Sequence, residues 1–188
     1  MRLILASQSP RRLELLARLG VVPDAVIPAD IDETEHKSEL PIPYVKRVAA
    51  AKAAKVAEPG ALTLAADVVV AAGRRILPKA ETEAQARDCL ALLSGRRHRV
   101  HCAVTLIDGA GKARHRLSSS IVTFKRLSAE EVDAYLAGGE WEGKAGGYAI
   151  QGKAEALIRA MSGSYSGVMG LPVFETRALL RAAGYPLG

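Results

Sequence analysis

The sequence predicts an α/β fold built on a mixed β-sheet, and three observations carry that prediction. Apolar strand-like runs (RLILAS, TLAADVVVAA) alternate with segments of helical period. Two long strands are joined by a glycine turn and read as an antiparallel hairpin. Capping signals mark where the helices begin.

Residues 1–30 read strand–helix–strand (RLILAS, RRLELLARL, DAVIPAD). In LASQSPRRLELLARLG, Ser9 is an N-cap residue and Pro10 suits the first helical position. Leu13, Leu16 and Ala17 give the expected apolar stripe, and Gly20 the stop. An acidic turn, DIDETE (30–35), precedes a helix over about 41–57. The apolar strand 63–72 follows, and Gly73 turns the chain into a short strand at ILP. Thr82 and Gln85 form a capping box for a helix over 83–93, closed by Ser94 and Gly95. Strands over about 97–108 and 113–126 flank the Gly109–Gly111 turn, and Ser128 with Glu131 caps a short helix. The glycine-rich stretch 138–153 reads as loop, ALIRAM as strand, GSYSGVMGLP as loop, and Pro172 as the start of the last helix. With no repeat and no long linker, residues 1–188 read as one domain.

The composition narrows the classes. Hydrophobic residues make up 49% but aromatics only 4%, so aliphatic side chains must fill the core. No apolar run reaches the roughly 18 residues of a membrane span. MRLILAS is too short for a secretory signal, so a cytoplasmic protein is expected. Cys89 and Cys102 lack metal-type spacing and read as buried thiols in a reducing compartment. The net charge of +6 is concentrated in residues 94–126, where eight basic residues face the single acid Asp108. Such a patch suits an acidic partner, although the scarcity of aromatics argues against single-stranded nucleic acid.

Several polar residues break the patterns around them. Arg11 and Arg12 occupy a helix's first turn, where the dipole favours acids. Either both point into water or an anion belongs there, since helix N-termini and guanidinium forks both bind phosphate. Asp67 interrupts a buried strand, where a carboxylate needs a partner ion or a metal. Lys52 interrupts the helix face formed by Val45, Val48, Ala49 and Val56. Lys79 follows the strand pair that carries Asp67. Asp30, Asp32 and Glu33 offer hard oxygen ligands of the kind Mg²⁺ prefers. His98 and His101, three residues apart in a strand, face opposite ways and do not make a zinc pair. Neither a GxSxG elbow nor a Walker GxxxxGK[ST] sequence is present. The residues by themselves thus point to a site for a phosphate ester or nucleotide with its metal.

In combination and order, LASQSPRRLELL, AADVVV, ARDCLALLSGRRHRV, GKAGGYAIQG and GSYSGVMGLP resemble the Maf family of nucleoside triphosphate pyrophosphatases, across almost the whole chain. The resemblance implies an elongated, twisted mixed sheet flanked by helices, with a cleft between two lobes. It also implies a cytoplasmic, homodimeric enzyme that uses Mg²⁺ or Mn²⁺ to convert a nucleoside triphosphate into its monophosphate and pyrophosphate. By the same resemblance Asp67 matches the catalytic acid and Glu33 a polar residue of the cleft, and Asp67 with Glu33 are the carboxylates expected to hold the metal. Ser7, Arg11, Arg12, Lys52, Lys79 and Gln151 match substrate-binding positions. Three positions separate a branch acting on dTTP and UTP from one acting on 7-methyl-GTP. Here they are Arg11, Val68 and Gln151; the first and third match the dTTP/UTP branch, while Val68 matches neither. LPKA (77–80) also departs from the usual GKP. A non-catalytic, nucleic-acid-binding or division-regulating protein is the competing class, and it leaves Asp67 and Lys52 unexplained.

Overall fold

A computed structural model describes residues 1–187; Gly188, the end of the expected domain, lies outside the described residues. Its elements, in order, are β1 (Leu3–Ala6), α1 (Pro10–Ala17), β2 (Ala25–Val26), α2 (Pro41–Val56), β3 (Leu62–Ala72), β4 (Arg75–Leu77), α3 (Glu83–Leu93), β5 (Arg97–Ile107), β6 (Ala113–Phe124), α4 (Ala129–Ala137), a 3₁₀ turn (Lys153–Leu157), β7 (Ile158–Ser162), α5 (Tyr165–Met169) and α6 (Val173–Ala182). The seven strands form one mixed sheet in the order β2-β1-β3-β5-β6-β7, with β4 also paired to β3. β1 runs parallel to β2 and β3, and every other pairing is antiparallel.

The register of β3 positions the site. One edge pairs with β5 from Thr63 to Ala71. The other pairs with β1 through Leu62–Ala65 and with β4 through Val70–Ala72. Residues 66–69 therefore have no strand partner on that edge among the described residues. The gap lies beyond the carboxyl end of β1, where open α/β sheets place their ligand crevices. Both Asp67 and its neighbour Val68 border it, although their side chains alternate across the sheet.

Helix α2 covers one face of β3. Val45 and Ala49 pack with Val69 and Ala103, and Ala53 packs with Ala65 and Ala6. Lys52 lies on the same helical face, one turn on from Val48 and Ala49, so it meets Asp67 between these two apolar contacts. The opposite face of the sheet buries the larger core, from Leu3, Leu64 and Leu106 to Phe124 and Leu179. Both capping boxes form, at Thr82 with Gln85 and at Ser128 with Glu131. Cys89 and Cys102 are buried and free.

Four sequence expectations are corrected. The buried face of α1 is Arg12, Leu15 and Leu16, whereas Leu13 and Ala17 are exposed. The helix turns its stripe by one position because Arg12 is drawn inward by its own hydrogen bonds. Of the DAVIPAD strand, only Ala25–Val26 pairs as β2; Pro23 and Pro28 bracket it and cannot donate to a ladder. GSYSGVMGLP contains helix α5: Ser164 caps it by accepting from Gly167 N, and Gly170 ends it in the left-handed region at φ 118°. The first residues of ALIRAM belong to the 3₁₀ turn, so β7 begins only at Ile158.

Candidate active site

A cavity of about 560 Å³ opens at the gap in the β3 edge. Its walls include Gln8, Ser9, Arg11 and Arg12 from the β1–α1 turn, Lys52 from α2, Asp67 and Val68 from β3, and Lys79 after β4. The glycine-rich segment contributes Gly143, Lys144, Ala145 and Gln151, and the end of α5 contributes Met169 and Gly170. Six distant stretches of sequence therefore meet at one point. A narrower recess opens off this cavity, lined by Arg11, Val68, Tyr148, Ile150, Gln151 and Met169 among others.

One wall is a row of alternating charges. Lys52 Nζ lies 2.8 Å from Asp67 Oδ1 and 2.8 Å from Glu33 Oε1. Lys79 Nζ lies 2.7 Å from Glu33 Oε2. Burial pushes the Glu33 carboxyl upward, but hydrogen bonds and charge from Lys52 and Lys79 outweigh it and hold the group below its ordinary value. Within the row, Glu33 faces not the main cavity but an adjoining hollow, with Glu35, Tyr44 and Glu81. Burial first, then Asp67 and Glu33, pushes the Tyr44 phenol up to about 12, so it remains a neutral hydroxyl.

The facing wall is cationic. Arg12 is buried; its Nε donates to Gly170 O at 2.9 Å and its Nη1 to Ser7 Oγ at 3.1 Å. Gly170 must be glycine to present that carbonyl, because its φ of 118° strains any side chain. Ser7 Oγ also accepts from Ser9 N at 3.0 Å, so the turn is closed by Ser7 while the Ser9 side chain makes no cap bond. Ser7 is buried and does not line the cavity; it holds Arg12 in place. Arg11 lies half-buried beside it, with its guanidinium held below the ordinary value by burial and then by Arg12.

The structure brings Arg11, Arg12, Lys52, Asp67, Val68, Lys79 and Gln151 to one cavity, with Ser7 and Glu33 directly behind. Asp30 and Asp32 are exposed and do not line it. Arg11, Val68 and Gln151 converge on the recess. The basic stretch 94–126 lies elsewhere. Arg97 and Arg99 are exposed on β5, Arg114 pairs with Asp108, Lys125 pairs with Glu131, and none of these lines the cavity.

Sequence reasoning missed Lys144. Its signal was present, since it is the only charged residue between Glu142 and Lys153. What the sequence did not reveal is the pairing that carries it to the site. Ala80 N donates to Lys144 O at 3.0 Å, Gly143 N to Ala80 O at 2.8 Å, and Gly146 N to Pro78 O at 3.0 Å. These bonds tie 143–146 to the segment bearing Lys79. Gly146 permits the approach, because a Cβ there would come within 2.9 Å of Val70 Cγ1.

Known proteins resemble this chain along almost its whole length. The chain is 62% identical over 184 residues to a protein of Novosphingobium aromaticivorans named dTTP/UTP pyrophosphatase, covering 97% of this chain and 92% of the relative. It is 59% identical over 188 residues to one of the same name from Rhodospirillum rubrum, covering 99% and 90%. Among solved structures, a HAM1 protein from Coxiella burnetii has the same fold, with a TM-score of 0.53 at 19% identity over 97% of this chain and all of that one. The family model described as Maf-like protein matches residues 2–183, and the chain belongs to that family.

Proposed function

We propose that this protein is a nucleoside triphosphate pyrophosphatase acting on dTTP and UTP. The observation that carries the reading is the cavity itself: cations without a carboxylate partner among the described residues line it together with an alternating row that ends in a buried carboxylate, with an amide-bearing recess alongside. Relatives sharing more than half their residues with this chain bear that name and support the substrate class.

In this reading the triphosphate lies along Arg11, Arg12 and the β1–α1 turn. Asp67, fixed by Lys52, orients a water and takes its proton as the water oxygen attacks the α-phosphorus. The bond between that phosphorus and the bridging oxygen breaks, and pyrophosphate leaves. Lys52, Lys79 and the arginines stabilise the charge that builds on the phosphates, through electrostatics fixed before reaction. Gln151, with both a donor and an acceptor, reads the imide edge shared by thymine and uracil. Val68 adds an apolar contact beside it.

Lys52 Nζ lies between Glu33 Oε1 and Asp67 Oδ1 at 2.8 Å each, and Lys79 takes Glu33 Oε2, so a divalent cation would bind through the carboxylate lone pairs that the lysines leave free, Asp67 Oδ2 foremost. No cluster of three His, Cys, Asp or Glu occurs among the described residues. Two carboxylates are what Mg²⁺ takes when waters and substrate phosphates complete its shell. Asp67 and Glu33 are the residues that would hold Mg²⁺ or Mn²⁺, which supplies charge neutralisation on the phosphate oxygens when bound.

The test is a panel of dTTP, UTP, CTP, GTP and 7-methyl-GTP with Mg²⁺ or Mn²⁺, assayed separately for pyrophosphate and orthophosphate with a chelator control. Chelator-sensitive pyrophosphate release, greatest with dTTP and UTP, is the expected result. Orthophosphate alone would place cleavage at the γ position and overturn the reading. Gln151→Glu should lower the preference for dTTP and UTP over GTP by about tenfold, a change of roughly 1.4 kcal/mol in discrimination. An unchanged ranking would remove Gln151 from base recognition. Among the described residues no helix is long and apolar enough to cross a membrane. A homodimer and a cytoplasmic location belong to the same reading, and light scattering on the purified protein checks the former.

A further inference from the structure

Three lysines line the cavity, and their partners differ. Lys52 and Lys79 are ion-paired, whereas Lys144 has no carboxylate within ion-pair distance among the described residues. Its Nζ donates only to the backbone carbonyl of Glu142, at 2.9 Å. Lys144 is also one of six residues that border both the main cavity and the recess, with Arg11, Val68, Ala145, Gln151 and Met169. Two of the six are cations, and no acid is among them. Burial first, and then Arg11, holds the Lys144 ammonium below its ordinary value, with Glu142 opposing. Two partly buried like charges at one mouth repel each other until an anion lies between them. The chemistry of the two spaces identifies which anion. The recess, only about 30 Å³ with Val68, Tyr148, Ile150 and Met169 around the Gln151 amide, takes the edge of a base, whereas the main cavity, about 560 Å³, takes the rest of the nucleotide with its phosphates. Their shared mouth is where a nucleoside meets its first phosphate.

We propose that Lys144 is a substrate-binding residue that, with Arg11, grips the phosphate attached directly to the sugar. The proposal rests on the pyrophosphatase reading above. It separates Lys144 from Lys79, which lines the main cavity but not the recess.

The experiment is calorimetric titration of the wild type, Lys144→Met and Lys144→Arg with dTMP and, separately, with pyrophosphate, both with Mg²⁺. Methionine keeps the aliphatic stem and removes the charge. Loss of a charge-assisted bond should weaken dTMP binding on the order of 10- to 100-fold, while pyrophosphate changes less than about threefold. Arginine should recover most of the dTMP affinity. Unchanged dTMP binding in Lys144→Met overturns the proposal, and so does a loss that falls equally or mainly on pyrophosphate. If the wild type releases no pyrophosphate from dTTP or UTP yet binds dTMP, the functional reading fails while the titration still decides the role of Lys144. A wild type that binds neither ligand overturns both.

Discussion

The two walls of the cavity solve the problem of buried charge in opposite ways. Along Lys79, Glu33, Lys52 and Asp67 the signs alternate, and every link is 2.7–2.8 Å long. Each ion there is neutralised by its neighbours without any ligand. The other cations, Arg12 and Lys144, are held by neutral oxygens alone, those of Gly170, Ser7 and Glu142, while Arg11 feels the charge of Arg12 and Lys144 that of Arg11. The first wall is complete and can orient groups before substrate arrives. The second is complete only with an anion in place. Orientation and attraction are thereby assigned to different residues, and substitutions should separate them.

The largest effect is expected at the end of the alternating row. Asp67→Asn keeps the shape and loses the charge, so turnover should fall on the order of 10³-fold or more. Lys52 retains Glu33 as its partner, so the melting temperature should move by only a few degrees. Binding of pyrophosphate to the facing wall should persist. An Asn variant with near wild-type kcat would show that the row is structural, and the contrast between the walls would lose its catalytic meaning.

What was legible in the sequence divides along the same line. Lys52 and Asp67 stood out because each interrupts an apolar period, and a local pattern is enough to reveal such a breach. Arg11 and Arg12 stood out against the helix dipole. The sheet class followed from the long strands β3, β5 and β6, whose apolar runs and glycine turn leave little choice. Other features are fixed only by contacts between distant parts of the chain. Glu33 meets Lys79 across 46 residues, and Arg12 meets Gly170 across 158. Lys144 reaches the cavity through backbone bonds to 78–80 that no side-chain pattern encodes. The inward turn of α1 is not legible locally, because the stripe of Leu13, Leu16 and Ala17 carries no sign of the tertiary acceptors that draw Arg12 under it. Helix α5 was missed because its five residues, YSGVM, are too few to show a period.

The alternating row and the recess should also respond to pH in separate windows. Behind the recess, His98 Nε2 lies 2.7 Å from the Tyr148 hydroxyl, and both rings pack against Phe124. Burial lowers the His98 imidazole from 6.5 to about 4. The unfolded chain therefore binds a proton that the folded one refuses, and stability is lost as pH falls from about 6.5 toward 4. The loss should approach roughly 3 kcal/mol. Glu33, whose value is also lowered, keeps its contribution down to its ordinary 4.5 and loses it only below that. Between pH 6.5 and 4.5 the support of the recess weakens while the ion row persists. Thermal melts across this range should show a falling melting temperature in the wild type and a flatter profile in His98→Gln, whose amide can still meet the Tyr148 hydroxyl. The remaining slope belongs to His101, whose imidazole is also lowered by burial and then by Arg99. An equal slope in both proteins would assign the acid sensitivity to another group.

The smallest effect tests the incomplete wall directly. Arg11 contributes repulsion to the unliganded protein, through the charges of Arg12 and Lys144, and its side chain is only half-buried. Removing it should therefore leave the unliganded stability unchanged or raise it by about 0.5 kcal/mol, against the usual trend for a cavity residue. The same Arg11→Met variant should lose much of the stabilisation by ligand. At a dTMP concentration 100 times the wild-type Kd, with Mg²⁺, binding adds about 2.7 kcal/mol to the folded state, and a tenfold weaker variant gains only about 1.4 kcal/mol. Differential scanning fluorimetry with and without dTMP measures both quantities in one plate. A variant less stable without ligand, yet stabilised as fully as the wild type with it, would mean that Arg11 supports the fold and that the anion is held by Arg12 and its neighbours.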